Sequence, residues 1–390
     1  VKTLKRKTYL PYGKQIVDEN DILQVIEILK SDYLTTGPAI AQFEAAIADY
    51  VGAKYAVAFS SGTAALHGAC FAAEIGRDDE VITTPMTFVA SANCILYQGG
   101  KPVFADINLK TYNIDPSEIE SKITAKTKAI IPVDYTGQPA DLEKIIGIAN
   151  KYNLVVIEDA AHALGAVYKG RKIGSISDMT MFSFHPVKHI TTGEGGIITT
   201  NHKHYYESLL QFRSHGITRD PIKMNHNEGP WSYEMQELGY NYRMTDIQAA
   251  LGASQLTKLD HFIDSRKNIV SAYNDAFKNM PELIIPFEKD EYQSSWHLYV
   301  LRLNLECLAA DRKNIFESLQ ELKIGVNVHY IPVYYHPYYQ RLGYKKGICP
   351  IAESLYEEII TLPLFPAMRD KDVRDVIEAV KETIEKYKKK

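Results

Sequence analysis

Hydrophobic positions recur along this chain at two alternating periods. From about residue 40 to 200, short apolar runs are separated by helical patterns: Ala56–Phe59, Glu80–Thr83, Pro102–Asp106, Ala129–Val133, Leu154–Glu158, Met179–Phe184 and Gly196–Thr200. Rich in Val, Ile and Phe, they predict buried strands, and their alternation with helices predicts βαβ units. The expectation is an α/β fold with a seven-stranded, mostly parallel sheet. Between the strands, Phe43, Ile47 and Tyr50/Val51 share one helical face, and Tyr205, Leu209 and Phe212 share another. These faces read as core. An earlier helix carries Ile22, Val25, Ile26 and Leu29 and ends before the loop Leu34 to Pro38, which either lines a site or turns the chain.

Beyond residue 200 the pattern weakens over Thr218 to Gln236, and a helix follows from near Thr245 with Ile247, Ala250 and Leu251. The expected domain boundary lies near 260, giving a large domain over 1–260 and a smaller C-terminal α+β domain over 261–390. The second contains a helix near Arg312–Leu322, a Tyr-rich loop at 329–339, and a closing helix striped with Val373, Ile377, Val380 and Ile384. The tail Lys386–Lys390 reads as frayed.

A chain of 390 residues exceeds one compact core, which agrees with two domains. With 44 Lys+Arg against 48 Asp+Glu, no overall field recruits nucleic acid or an anionic membrane. Cys70, Cys94, Cys307 and Cys349 are too scattered for a zinc knuckle or a disulfide framework and read as buried thiols in a reducing cytoplasm. The basic start, Val1 to Gln15, lacks the apolar stretch of a signal peptide, and no run of 18 apolar residues occurs, so neither export nor membrane insertion is expected. Histidines 185, 189, 202, 204 and 215 match no metal-binding spacing.

Ligands of open parallel sheets bind at the carboxyl ends of the strands. There the first run leads into Ser60-Ser61-Gly62-Thr63, an anion site at a helix start that is equally an ordinary N-cap. The second leads to Phe88, able to stack on a flat ring or to fill core. The fifth ends in Glu158-Asp159, then His162; Asp159 suits a protonated pyridine nitrogen or the cap of the next helix. The sixth delivers Ser183 and then Lys188, which stands before a glycine-rich turn, where a partly desolvated amine would form a Schiff base with a carbonyl. Pyridoxal 5'-phosphate satisfies all of these together. Its phosphate takes Gly62, Thr63 and Ser183, its nitrogen Asp159, its ring Phe88 and its aldehyde Lys188.

Ser-Gly-Thr-Ala-Ala-Leu (61–66), Thr-Pro-Met-Thr-Phe-Val-Ala (84–90), Glu-Asp-Ala-Ala-His (158–162), Ser-Phe-His-Pro-Val-Lys (183–188), Thr-Gly-Glu-Gly-Gly (192–196) and Gly-Tyr-Asn-Tyr-Arg-Met (239–244) resemble the blocks of the DegT/DnrJ/EryC1/StrS sugar-nucleotide aminotransferases, fold type I pyridoxal-phosphate enzymes. The resemblance implies Lys188 as the covalent anchor, Asp159 at the pyridine nitrogen, His162 near the ring hydroxyl, and Phe88 for stacking. It also implies that Asn241 reaches the cofactor phosphate of a second subunit, hence a homodimer with shared sites. His329, Tyr330 and the Tyr334/Tyr335/His336 cluster resemble the sugar-nucleotide loop, with a Tyr-rich dimer contact as the alternative for the tyrosines. Blocks at 133–137, 185–196 and 212–216 are most similar to members serving pseudaminic-acid biosynthesis. The implied reaction moves the amino group of L-glutamate to the C4 ketone of a UDP-linked 4-keto-6-deoxy-N-acetylhexosamine in the cytoplasm. Alternatives are another nucleotide 4-keto-6-deoxy sugar, a sugar dehydratase, which Lys188 disfavours because those enzymes carry histidine there, and a non-catalytic ligand sensor.

Overall fold

All seven apolar runs become strands of one sheet. In the computed structural model, which describes residues 6–389, they are β1 (Tyr55–Phe59), β2 (Glu80–Thr83), β3 (Lys101–Phe104), β4 (Thr127–Ile131), β5 (Val155–Asp159), β6 (Met179–Ser183) and β7 (Gly196–Thr200). Their order is β1-β7-β6-β5-β4-β2-β3. Pairing is parallel from β3 through β6, whereas β7 runs antiparallel to both β1 and β6. The reversal has a local cause: no helix lies between β6 and β7, so the chain lacks the crossover that a parallel return requires. Successive residues face opposite sides, and both sides are buried. Ile130, Val156 and Ile197 enter one core, and Ile131, Ile157 and Ile198 enter the other. The third strand stops at Phe104 rather than Asp106, whose carboxylate instead accepts the N–H groups of Ile351 (2.8 Å) and Ala352 (2.9 Å) at the start of the helix Pro350–Glu358.

Helices α1 (Glu19–Lys30), α2 (Pro38–Val51), α3 (Gly62–Ala72), α4 (Ala90–Tyr97) and α5 (Asp246–Leu256) surround this sheet. Phe43, Ile47 and Val51 of α2 are buried as its periodicity predicts, as are Leu209 and Phe212 of the helix Lys203–Phe212. The loop before α2 turns the chain: Asp246 accepts the N–H groups of Gly37 (2.8 Å) and Ala39 (3.0 Å).

The first helix departs from its pattern. Its apolar stripe stays largely outside, with Ile22 43% and Leu29 55% exposed, and its one fully inserted residue is Asp21. That carboxylate accepts Ser254 Oγ and Gln255 Nε2 of α5, each at 2.6 Å, and pairs with Lys258 at 2.7 Å. A charged group with three such donors outweighs a stripe of aliphatics of which Val25 and Ile26 are only half-buried. On α5, likewise, the buried side carries Ala249, Gly252, Ser254 and Gln255, and Ile247 and Leu251 are only half-buried.

A second sheet comprises β8 (Leu283–Ile284), β9 (Tyr299–Leu303) and β10 (Ile359–Leu362), all antiparallel. Helices α7 (Arg312–Glu321) and α8 (Asp370–Tyr387) pack on it, the latter through Val376, Val380 and Ile384. The expected boundary near 260 falls at the start of α6 (Leu259–Phe277), which gives Phe262 and Ile263 to the large core and Val270, Tyr273 and Phe277 to the small one. Leu10 also enters the small core, and Arg6 pairs with Asp372 (3.0 Å) and Asp375. The expected fraying of the tail is absent through Lys389: Lys386 is helical, and Lys389 N–H donates to Cys307 (2.9 Å); Lys390 lies outside the described residues. Cys70, Cys94 and Cys349 are buried as expected, but Cys307 is partly exposed. Among the described residues, no helix is long and apolar enough to cross a membrane.

Replacing Asp21 by Ala should cost about 2–3 kcal/mol of stability, because it removes the common acceptor of Ser254, Gln255 and Lys258, leaving Gln255 only the Ile16 carbonyl and Lys258 only Asp18. Urea unfolding checks this; an unchanged midpoint would show that α1 docks by other means.

Candidate active site

The carboxyl ends of the parallel strands open into a cavity of about 570 Å³. Gly62, Thr63, Phe88, Asp159, His162, Ser183, Lys188, His329 and Tyr330 all line it. Asn241, expected to reach the site of a second subunit, does not line this one, nor do Tyr334, Tyr335 and His336. Asn241 lies exposed on the protein surface, bridged to Ser214.

One end of the cavity suits an anion. Strand β1 runs directly into α3, where Ser61 Oγ accepts the N–H of Ala64 at 3.1 Å. The N–H groups of Gly62 and Thr63 therefore remain free in the first turn, with the helix dipole behind them. Ser183, at the end of β6, lies beside them. The approach is close: a Cβ at Gly196 would sit 2.6 Å from the backbone of Gly62, and one at Gly62 would sit 3.1 Å from Ser183 Cβ. Only glycine at 196 lets the edge of β7 meet the helix start.

Another wall is acidic. Asp159 is 4% exposed at the end of β5, accepting Ser91 Oγ at 2.6 Å and the Ala161 N–H at 3.2 Å. Burial pushes its carboxyl above the usual range, while Ser91, the Ala161 N–H and the charge of Lys188 oppose that rise. Such a carboxylate is completed by a cation. His162 joins Tyr330 Oη through Nε2 at 3.1 Å, whereas its buried Nδ1 has no partner among the described residues. Burial, followed by the charge of Lys188, keeps this imidazole neutral.

Lys188 is partly exposed within the cavity, yet desolvation lowers its amine to about 8, against the pull of Asp159. Behind it stand His189 and His297, both buried and held neutral chiefly by desolvation. His189 Nε2 meets Ser295 O at 3.0 Å, and buried Arg266 donates to the carbonyls of Leu364 (2.8 Å), His297 (3.1 Å) and Trp296 (3.3 Å). Arg266 thus fastens the small core to the segment behind the lysine.

His329 lines the cavity as a neutral ring, lowered to about 3 mainly by burial, with Nδ1 2.8 Å from Thr361 Oγ1 and Nε2 3.3 Å from Asn327 Nδ2. Of the Tyr-rich cluster, Tyr334 is core: it is fully buried and donates to Glu353 at 2.7 Å. Phe88 takes the opposite course. It is 58% exposed, 6.2 Å from the ring of Tyr330, so it is free to cover a ligand and is not packed in core.

Sequence reasoning missed Ser91, although it directly follows the run ending at Ala90, and it missed Tyr12, Glu194 and Asn327 on the cavity wall. Ser91 had a usable signal, a hydroxyl one turn after Thr87, with which it bonds at 2.7 Å. Tyr12 had none, because it arrives from a distant segment whose carbonyl accepts the N–H of Leu364. Free N–H groups, a buried carboxylate, an orphaned imidazole nitrogen and an amine near neutrality fit one flat cation bearing a phosphate and an aldehyde.

The sequence profile of the DegT/DnrJ/EryC1/StrS aminotransferase family matches residues 15–381. The spore coat polysaccharide biosynthesis protein SpsC of Bacillus subtilis is 44% identical over 382 residues, 97% of this chain and 98% of that protein. The UDP-4-amino-4,6-dideoxy-N-acetyl-beta-L-altrosamine transaminase of Campylobacter jejuni is 38% identical over 383 residues, 97% and 99% of the two chains. Among solved structures, the PLP-form of the putative sugar aminotransferase Spr1654 from Streptococcus pneumoniae superposes with a TM-score of 0.91 at 33% identity, covering 97% of this chain and 99% of that one.

In the cofactor-free chain, labelling of Lys188 by an amine-reactive reagent should reach half its maximal rate near pH 8, with the charged, unreactive form below. In Asp159→Asn the midpoint should move to lower pH, because the attraction that favours the ammonium is gone. Peptide mass spectrometry across pH reads both; a midpoint like that of surface lysines would contradict the desolvated setting.

Proposed function

The chain belongs to the DegT/DnrJ/EryC1/StrS aminotransferase family and is a pyridoxal-phosphate-dependent sugar aminotransferase; from that premise we propose that it transfers the amino group of L-glutamate to the C4 ketone of a UDP-linked 4-keto-6-deoxy-N-acetylhexosamine. The observation that carries the reading is the amine of Lys188 in one cavity with the buried carboxylate of Asp159. For the acceptor, the support is 38% identity along nearly the whole chain to the Campylobacter transaminase named above.

When bound, pyridoxal phosphate supplies an aldehyde that exchanges amines and a protonated ring that stores electrons. Each protein group then has a defined task. Gly62 N–H, Thr63 N–H and Ser183 Oγ bind the phosphate, and Phe88 covers one ring face. Asp159, held by Ser91, keeps the ring nitrogen protonated. His162, with one nitrogen fixed by Tyr330, would offer its free Nδ1 to the ring hydroxyl. Lys188 Nζ would anchor the aldehyde and, as a free amine, would take the proton from the α-carbon of the amino donor. An amine near 8 is suited to both tasks because a useful fraction is neutral at cellular pH. Tyr330 and His329 border the space left for the sugar.

We extend the proposal to a homodimer in which Asn241 completes the phosphate site of the second subunit. Its exposure away from its own cavity supports this, as do the uncovered apolar side chains nearby, Trp231 at 69% and Leu238 at 72%, and on α1. A second acceptor reading, another nucleotide 4-keto-6-deoxy sugar, draws support from the 44% identity to SpsC, a spore coat polysaccharide protein.

Incubation with glutamate and a panel of nucleotide 4-keto-6-deoxy sugars, read by mass spectrometry and NMR, should yield the 4-amino sugar from the UDP-N-acetyl substrate together with 2-oxoglutarate. Turnover of a different nucleotide alone would favour the second reading. The Lys188→Ala chain should fold and lose at least about 10²-fold to 10⁴-fold in rate. Co-expression of Lys188→Ala and Asn241→Ala subunits should restore up to about one quarter of the wild-type rate, since half the dimers are mixed and each holds one intact site. No recovery would refute the shared site.

A further inference from the structure

Beneath Asp159 lies a second acidic feature to which the transamination chemistry assigns no task. Asp134 and Glu158 are both completely buried, one following β4 and the other in β5. Two of their four oxygens are met, by three donors. Asp134 Oδ1 accepts the N–H of Ala140 at 2.8 Å, and Glu158 Oε2 accepts both Ser177 Oγ and Thr180 Oγ1 at 2.9 Å. That leaves Asp134 Oδ2 and Glu158 Oε1, each buried with no donor among the described residues. Val133 bridges Asp159 in parallel register, so Asp134 and Glu158 project from the same face of neighbouring strands, where each carboxyl acts on the other. Two ionised carboxylates cannot hydrogen-bond to each other, since neither has a proton to give.

We propose that Asp134 and Glu158 share one proton, with Asp134 Oδ2–H donating to Glu158 Oε1, so that the three adjacent carboxyls carry two negative charges and Asp159 remains an anion. The donor is Asp134 because Glu158 already accepts two hydroxyl hydrogens, which stabilise its charge, against a single backbone N–H for Asp134. Burial raises both carboxyls, and the charge of Glu158 raises Asp134 further. The charges acting on the pair are their own and that of Asp159; neither has a cationic partner among the charges that act on it. The link to the site is also mechanical. Asp134 N–H donates to Asp159 O at 3.0 Å, so the proton-sharing pair and the backbone of Asp159 form one unit. Asp134 is thereby a positioning residue that acts through Asp159 and touches no substrate.

The inference is independent of which sugar the enzyme takes, and its test needs no turnover. Infrared difference spectra of the full-length chain in D₂O near neutral pH should contain the carbonyl stretch of a neutral carboxylic acid. Asp134→Asn and Glu158→Gln should each abolish it, because in either variant an amide N–H replaces the shared proton and the remaining carboxyl ionises. Survival of the band in Glu158→Gln would mean that burial alone protonates Asp134; survival in Asp134→Asn would assign the proton elsewhere. Either result, or no band in the wild type, overturns the proposal. A second measurement follows from linkage. The folded chain retains a proton that the unfolded carboxyls release above their ordinary range, so this pair weakens the fold progressively as pH rises toward its folded titration. The Tm of Asp134→Asn should therefore gain on the wild type from about pH 5 to about pH 8, and a constant gap would count against the shared proton.

Discussion

An acidic side chain at the end of a buried parallel strand has to be met by positive charge, by donors or by a proton, and the core of this protein is organised around that demand. Asp159 receives Ser91, a backbone N–H and the field of Lys188, and faces the cavity where the proposed cofactor nitrogen would meet what remains. Its neighbours Glu158 and Asp134 have no such ligand available, and their geometry calls for a proton between them. Three carboxyls on two adjacent strands would thus be answered in two different ways, by a cofactor on one side and by a shared hydrogen on the other. The amine of Lys188 is drawn in two directions by the same arrangement. Desolvation lowers its basicity so that a neutral, nucleophilic fraction exists, and Asp159 keeps it from losing its charge altogether.

The sheet was legible in the chain because buried strands are written as compact apolar runs, and each of the seven expected runs forms a strand to within a few residues at its ends. What those runs could not express was direction, and β7 is reversed because a stretch without a helix precedes it. The cavity residues were legible for a related reason: ligand-bearing positions in this architecture follow strands, so Gly62, Phe88, Asp159, Ser183 and Lys188 could be found by counting from strand ends. Residues supplied from elsewhere could not. Tyr12 and Asn327 reach the same cavity from segments hundreds of positions apart, and periodicity says nothing about such meetings.

In two segments a polar group, and not the apolar positions, decides what lies inside. The apolar stripe of α1 is mostly surface, because Asp21 and its three donors set the orientation of the helix. Tyr334 looks like part of a binding loop and is core, because its hydroxyl found Glu353. In both cases one polar contact decided which face turned inward. Hydrophobic pattern counts favour the opposite result, since they weigh the many aliphatic positions and not the single group whose burial has to be compensated.

The contact between Gly196 and the first turn of α3 has a consequence for heredity as much as for chemistry. A methyl group at that position would meet main chain, which cannot step aside as a side chain can. Codons that replace this glycine would therefore yield a polypeptide whose sheet edge and anion cradle fail together, so that proteolytic surveillance would remove it before any loss of catalysis could be noticed.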